Sequence, residues 1–295
     1  MAEVVERVGQ WTAHNIELAP GVFTKGPDPS GEELKLRRVR QLVDDLVPRP
    51  VSQLRVLDLG AHEGLYGIEL ALSGAEVVFV EGRAAGAERI RFAAATLGLE
   101  RASVLQQDVQ RLSVGEHGEF DVILCLGLLY HLDAVEVLML LERMRSVCRG
   151  LLIIDTHVAL EDDELARVPG EVLWVDPTES LSEMRSVDVN GRTYRGRDYR
   201  EHEPGSSPQE RTEASWASLE KETSFWPTKA SLLNALVASG FTTVLECSIP
   251  PLAGSPPDRL TLVAVPGKRV ELKSSSIKAA VPFEAVPERS PETRR

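Results

Sequence analysis

Cysteine is scarce in this 295-residue chain, with only Cys125, Cys148 and Cys247. They have no metal-ligand spacing and each lies in or beside an apolar segment, so they are expected to be reduced, buried structural residues. No apolar run reaches the length of about 18 residues that a membrane-spanning helix needs. Met1 to Glu6 does not make a secretory n-region, so the expectation is a cytoplasmic protein without a membrane partner. Basic residues are outnumbered, 33 against 45 acids, and the formal net charge of −12 argues against a long nucleic-acid track. No internal repeat is visible. Aromatics make up only 5% of the chain, and their placement matters below.

What is present centres on Arg55 to Gly74. Val56-Leu57-Asp58-Leu59 is a short apolar run bounded by glycine, which reads as a buried parallel strand. Gly60 and Gly64 follow, and Tyr66 to Leu72 has helical spacing. Strand, glycine turn and helix form the first half of a βαβ nucleotide-binding unit. The dinucleotide fingerprint is G-x-G-x-x-G, whereas this loop is Gly60-x-x-x-Gly64 with Asp58 before it. Asp58 and Glu63 put negative charge where phosphates would sit. That opposes a dinucleotide and suits a ligand carrying ammonium and sulfonium groups.

The same pattern continues along the chain. Ala75 to Gly82 is a second buried strand ending in Glu81, a carboxylate able to accept both hydroxyls of a ribose. A helix from about Ala85 to Leu97 precedes a third strand expected to end at Asp108, which reads equally as a ligand or as a cap. Phe120 to Gly127 is strand four, followed by Leu128-Leu129-Tyr130-His131-Leu132. The helix Ala134–Val147 leads to strand five, Gly150 to His157. Alternating strands and helices give an open, doubly wound sheet. At its ligand edge, His131 and His157 are both candidate bases. His131 could instead close the adenine side, and Asp155 with His157 is too small a set for a metal site.

The Asp-Leu-Gly-x-x-x-Gly sequence, the acid ending strand two, and the Phe-Asp-Val-Ile and Leu-Tyr-His-Leu segments resemble the class I S-adenosylmethionine-dependent methyltransferases. The resemblance covers residues 51–157 and 228–266. It implies a Rossmann-like, seven-stranded α/β sheet, mostly parallel with one antiparallel strand, and S-adenosylmethionine as cofactor. It also implies Asp58, Gly60 and Gly64 at the methionyl end, Glu81 at the ribose, and Asp108 with Val109 at the adenine; Leu126, at the end of strand four, joins this set. The Asn/Asp-Pro-Pro-Tyr tetrapeptide of amino-group adenine methyltransferases is missing, and Cys125 lies within a strand rather than on a proline-cysteine loop.

Outside that core, residues 1–50 read as an N-terminal cap with an amphipathic helix over Glu32 to Val47. Trp11 and Phe23 either close the sheet edge or belong to a lid over the cofactor. Residues 158–227 form an expected substrate-side insertion after strand five, holding three of the four tryptophans. Short strands are expected at Val172–Val175 and Ser186–Tyr194, the second with an Asn-Gly turn inside it. Arg192, Arg195, Arg197 and Arg200 either grip an anionic acceptor or pair with neighbouring acids. Tyr130, Arg197, Tyr199 and Trp226 are the substrate-binding candidates. Thr228 is an expected helix N-cap, and residues 267–295 an expected disordered tail.

The expected reaction is methyl transfer to a small-molecule acceptor, most simply a hydroxyl oxygen, with a histidine as base. The Ser-Phe-Trp-Pro-Thr-Lys and Leu-Tyr-His-Leu segments are also similar to the carboxymethyltransferases of the tRNA wobble uridine, against which the net acidity speaks. That second resemblance leaves a carboxylated cofactor open. A nicotinamide oxidoreductase is opposed by the glycine spacing and by the absence of Tyr-x-x-x-Lys after Tyr130, Tyr194 or Tyr199. A non-catalytic binder of the same cofactor shares every acidic position. Oligomeric state is not legible.

Overall fold

The structure is a computed structural model that describes residues 5–7, 9–28, 31–169, 173, 180–248 and 256–267. A small hairpin, β1 (Glu17–Ala19) and β2 (Val22–Phe23), precedes helix α1 (Glu33–Leu46). The amphipathic pattern of α1 buries Val39, Leu42 and Val43. The chain then alternates: β3 (Arg55–Leu59), α2 (Leu65–Leu72), β4 (Glu76–Glu81), α3 (Ala84–Thr96), β5 (Ala102–Gln106), short α4 (Val114–His117), β6 (Phe120–Leu126), α5 (Ala134–Val147) and β7 (Cys148–His157). Strand five of the sequence reading is two residues longer at its start, and strand three ends at Gln106, not at Asp108. Asp108 instead caps a 3-10 turn over Val109–Arg111 by accepting the Gln110 N–H.

After short α6 (Asp162–Leu165), the inserted segment forms its own sheet of β8 (Arg185–Val189), β9 (Arg192–Arg200) and β10 (Thr223–Pro227), with α7 (Pro208–Glu213) in the β9–β10 connection. Asn190 and Gly191 have φ of 52° and 75°, the geometry of a two-residue hairpin turn. The Asn-Gly turn expected inside Ser186–Tyr194 is present and folds that stretch into the two arms of a hairpin. The strand expected over residues 172–175, apart from Leu173, and the tail over 268–295 lie outside the described residues. Helix α8 (Lys229–Ala238) follows directly, with the Thr228 hydroxyl accepting the Ser231 N–H, and β11 (Phe241–Glu246) and β12 (Arg259–Pro266) finish the main sheet.

The seven strands of that sheet run β11-β12-β7-β6-β3-β4-β5, and β12 alone is antiparallel. Strands β3, β4, β6 and β7 are apolar runs because helices cover both of their faces. One face packs Val56, Val77, Phe79 and Val122 against α1, α2 and α3; the other packs Leu57, Ile123 and Leu152 against α5 and α8. Strand order reverses between β3 and β6, which opens a crevice at the carboxyl ends of the strands. Cys125 and Cys148 are buried, whereas Cys247 is only half-buried, contrary to the expectation for it; all three are free thiols.

Candidate active site

A crevice of about 1480 Å³ lies at the switch point. This exceeds the 300 to about 1,000 Å³ of a usual single-ligand site, so it has room for a second molecule. One half is lined by Asp58, Gly60, His62, Glu81, Asp108, Val109 and Leu126. Asp58, the penultimate residue of β3, is buried and accepts the Gly67 N–H at 3.0 Å. A side chain at Gly67 would collide with the Phe79 ring and the Asp58 carboxylate, so glycine there is what lets α2 approach the acid. Burial raises the Asp58 carboxyl to about 7, a rise tempered by the Gly67 N–H and reinforced by Glu81. Asp58 has no ion-pair partner among the described residues. Glu81 accepts the His62 N–H at 2.8 Å and the Arg83 N–H at 2.7 Å, one on each oxygen. Each oxygen has a second lone pair for a hydroxyl. Gly60 turns at φ 62° with Leu128 packed where a Cβ would stand.

The other half holds Lys35, Tyr66, Tyr130, His131, Asp155, His157, Tyr199, Trp226 and Arg259. Trp226 lies between two stacked rings, His157 and Tyr199, each with centroids at 4.7 Å. Its indole N–H donates to the Tyr130 carbonyl at 3.0 Å, which fixes β10 against the β6–α5 loop. Arg259 donates to Asp155 through Nε at 2.9 Å and Nη2 at 2.5 Å, and the Thr261 hydroxyl donates to the same carboxylate at 2.8 Å. Burial alone would push Asp155 up, but Lys35 and Arg259 hold it below the usual carboxylate range. Tyr66 donates to Glu32, and Lys35 pairs with Glu32 at 2.8 Å.

The two histidines differ in kind. His157 is 1% exposed, and its Nε2 faces the Arg259 guanidinium at 3.0 Å. Arginine only donates, so that nitrogen's lone pair is already used. Burial and the Arg259 charge lower His157 to about 3. With Asp155 also surrounded by cationic groups, the pair is poorly suited to a metal ion. His131, in the 3-10 turn Leu129–His131, keeps partial access to the crevice.

Several expected residues fall elsewhere. Gly64 is not on the crevice wall; at φ 85° it starts α2 and packs against Ile90. Arg197 is buried away from the crevice, paired with Asp162 and donating to the Ser182 carbonyl at 2.9 Å. Arg195 pairs with Glu161, so both arginines are engaged by acids of the insertion. Glu63 does not charge the ligand loop: its side chain is fully buried and accepts the Thr12, Ala13 and His14 N–H groups at 2.6 to 3.0 Å. It fastens the N-terminal segment, which puts Ala13 and His14 on the crevice wall. Lys35, Arg83, Glu201 and Arg259 belong to the site without standing out in the sequence. The spacing Glu32-x-x-Lys35 was a visible local signal; Arg259 and Glu201 had none.

The seven-stranded fold and the acid-lined crevice at its switch point are those that the resemblance to class I S-adenosylmethionine-dependent methyltransferases implies. Residues 56–150 match the family described as "Methyltransferase domain", so the chain carries a methyltransferase domain, with S-adenosylmethionine as cofactor. No curated protein matches the sequence. Among solved structures, the N-terminal domain of EvdMO1 crystallised with SAH and D-fucose is similar at 22% identity and a TM-score of 0.62, over 90% of this chain and 95% of that one. Against EvdMO1 as a longer chain, the match spans 47% of its length. The PH0226 protein from Pyrococcus horikoshii OT3 is similar at 16% identity and a TM-score of 0.52, over 81% of this chain and 93% of that one. These likenesses establish the fold. No helix among the described residues is long and apolar enough to cross a membrane.

Proposed function

We propose that this enzyme methylates a hydroxyl oxygen of a small polyhydroxylated molecule of the sugar class, with His131 as general base. The observation that carries this reading is the contrast between the histidines: His131 reaches the crevice, whereas the His157 lone pair is taken by Arg259. The D-fucose in the EvdMO1 domain structure supports a sugar as the first acceptor class to try.

The residues fit the cofactor by their chemistry. Asp58, a buried carboxylate with no cationic partner among the described residues, suits the ammonium end. Glu81 suits a vicinal diol, and Val109 and Leu126 suit the adenine faces, with Asp108 at its amino group. When bound, S-adenosylmethionine supplies a methyl carbon made electrophilic by its sulfonium. His131 would accept the proton of the acceptor hydroxyl as that oxygen takes up the methyl group. The walls of the crevice, Trp226, Tyr130 and Tyr199, orient the acceptor and exclude water.

The test is a screen of D-fucose and related sugars with S-adenosylmethionine, read by mass spectrometry for an added methyl group. With an acceptor in hand, His131→Ala is expected to keep cofactor affinity and lose roughly a hundredfold or more in turnover. Unchanged turnover removes His131 from the chemistry. Methylation confined to amines, with no O-methylated product, overturns the oxygen assignment.

A further inference from the structure

His131 does not stand alone in the crevice wall. Its Nδ1 lies 2.9 Å and 3.1 Å from the two carboxylate oxygens of Glu201. Glu201 belongs to the insertion, one residue beyond β9, and its side chain is fully enclosed while that of His131 is 17% exposed. The oxygen nearer to His131 also accepts the Ser218 N–H at 2.8 Å. That oxygen therefore works as an acceptor, and the imidazole must be the donor to it. A neutral imidazole has one N–H; with that N–H on Nδ1, the lone pair is on Nε2.

We propose that Glu201 is the positioning residue of the active site, fixing His131 as its Nδ1–H tautomer so that Nε2 is available as an acceptor. This rests on the reading of His131 as the base. Three further observations favour it over a plain tie between insertion and core. The carboxylate is enclosed, so water does not compete for the imidazole and the tautomer is held by protein alone. Tyr130 packs on the imidazole with centroids at 4.3 Å, limiting rotation of the ring away from Glu201. The Ser218 contact joins the same carboxylate to the segment 214–219, which lies over the other half of the crevice. A single side chain from the insertion thus touches both the base and the cover of the cofactor half.

The test reads the tautomer directly, without an acceptor. Imidazole 15N–1H correlation spectra of the whole protein are recorded at about pH 8, above the ordinary histidine range, with His131→Gln identifying the resonances. The expected result is a proton on Nδ1 of His131 and an unprotonated Nε2, both in the free protein and with SAH bound. In Glu201→Ala the Nδ1–H signal is expected to be lost in favour of Nε2–H. Glu201→Gln, which keeps a carbonyl acceptor and the Ser218 bond, is expected to restore part of the Nδ1–H signal. A merely structural tie would leave the tautomer unmoved by these changes. An Nε2-protonated His131 in the unsubstituted protein overturns the proposal, and that spectrum decides even if Glu201→Ala does not fold. If the tautomer is as assigned but His131→Ala retains turnover in the acceptor assay, the base reading fails by itself.

Discussion

At the scale of the residue, Asp58 sets the strongest constraint. Its carboxyl lies at about 7 against an ordinary 3.8, chiefly through burial. A shift of that size corresponds to about 4 kcal/mol between its two protonation states. The sign follows from a raised folded-state value. The contribution of Asp58 to stability is full below about pH 4 and is lost as pH rises through about 7 in the free protein. A bound cation favours the ionised form and reverses that loss. S-adenosylmethionine affinity is therefore expected to rise between about pH 6 and pH 8, with a proton released on binding near neutrality. Calorimetry in buffers of different ionisation enthalpy measures both. Asp58→Asn should flatten the profile; an affinity independent of pH in the unsubstituted protein would show that Asp58 does not face the cation. Asp58 and Glu81 are legible because each lies at or next to the end of a buried strand. Arg259 was not, since its partner Asp155 lies 104 residues away and only the β7–β12 pairing joins them.

At the scale of the element, the insertion is more than an appended sheet. Phe225 donates its N–H to the Leu132 carbonyl at 2.8 Å, so β10 is held to the loop that carries His131. Arg83, just beyond β4, donates to the carbonyls of Ala214 and Ala217 at 2.6 Å and 2.7 Å. Trp216, between those anchors, stands over His62 with centroids at 5.0 Å. Arg83→Ala is expected to release segment 214–219, weakening SAH binding by about tenfold through loss of charged hydrogen bonds worth about 1.4 kcal/mol in the bound state. Hydrogen exchange should rise in that segment alone. Faster exchange without weaker SAH binding would mean that the segment does not cover the cofactor. The core strands could be read from sequence because parallel strands buried on both faces are continuous apolar runs. The β8–β9–β10 sheet was only partly readable. Its β9 is a run of arginines and tyrosines with no apolar alternation, and β10 runs straight into the Thr228 cap of α8. Glu63 misled for a related reason: a charge in a glycine loop shows no direction, and this one turns inward to Thr12, Ala13 and His14.

At the scale of the whole molecule, charge and crevice act together. The chain carries a formal net charge of −12, and the crevice wall includes Glu32, Asp58, Glu81, Asp108 and Asp155. Lys35 and Arg259 neutralise Asp155 on the acceptor side, so the unpaired acidity is concentrated at the cofactor half. S-adenosylmethionine has a net charge of about +1 near neutrality, whereas SAH has none, because loss of the methyl group removes the sulfonium charge. Field and crevice should therefore favour the substrate form of the cofactor over its product, in a way that salt can screen. The Debye length falls from about 10 Å at 0.1 M salt to about 3 Å at 1 M. Across that range S-adenosylmethionine affinity is expected to drop severalfold while SAH affinity changes little. Paired titrations of the two ligands at fixed pH measure the difference. Equal salt dependence would place the selectivity in short-range contacts such as Asp58 rather than in the field of the molecule. Asp58→Asn in the same titrations separates the two, since it removes one contact and leaves a net charge of −11 to act at a distance.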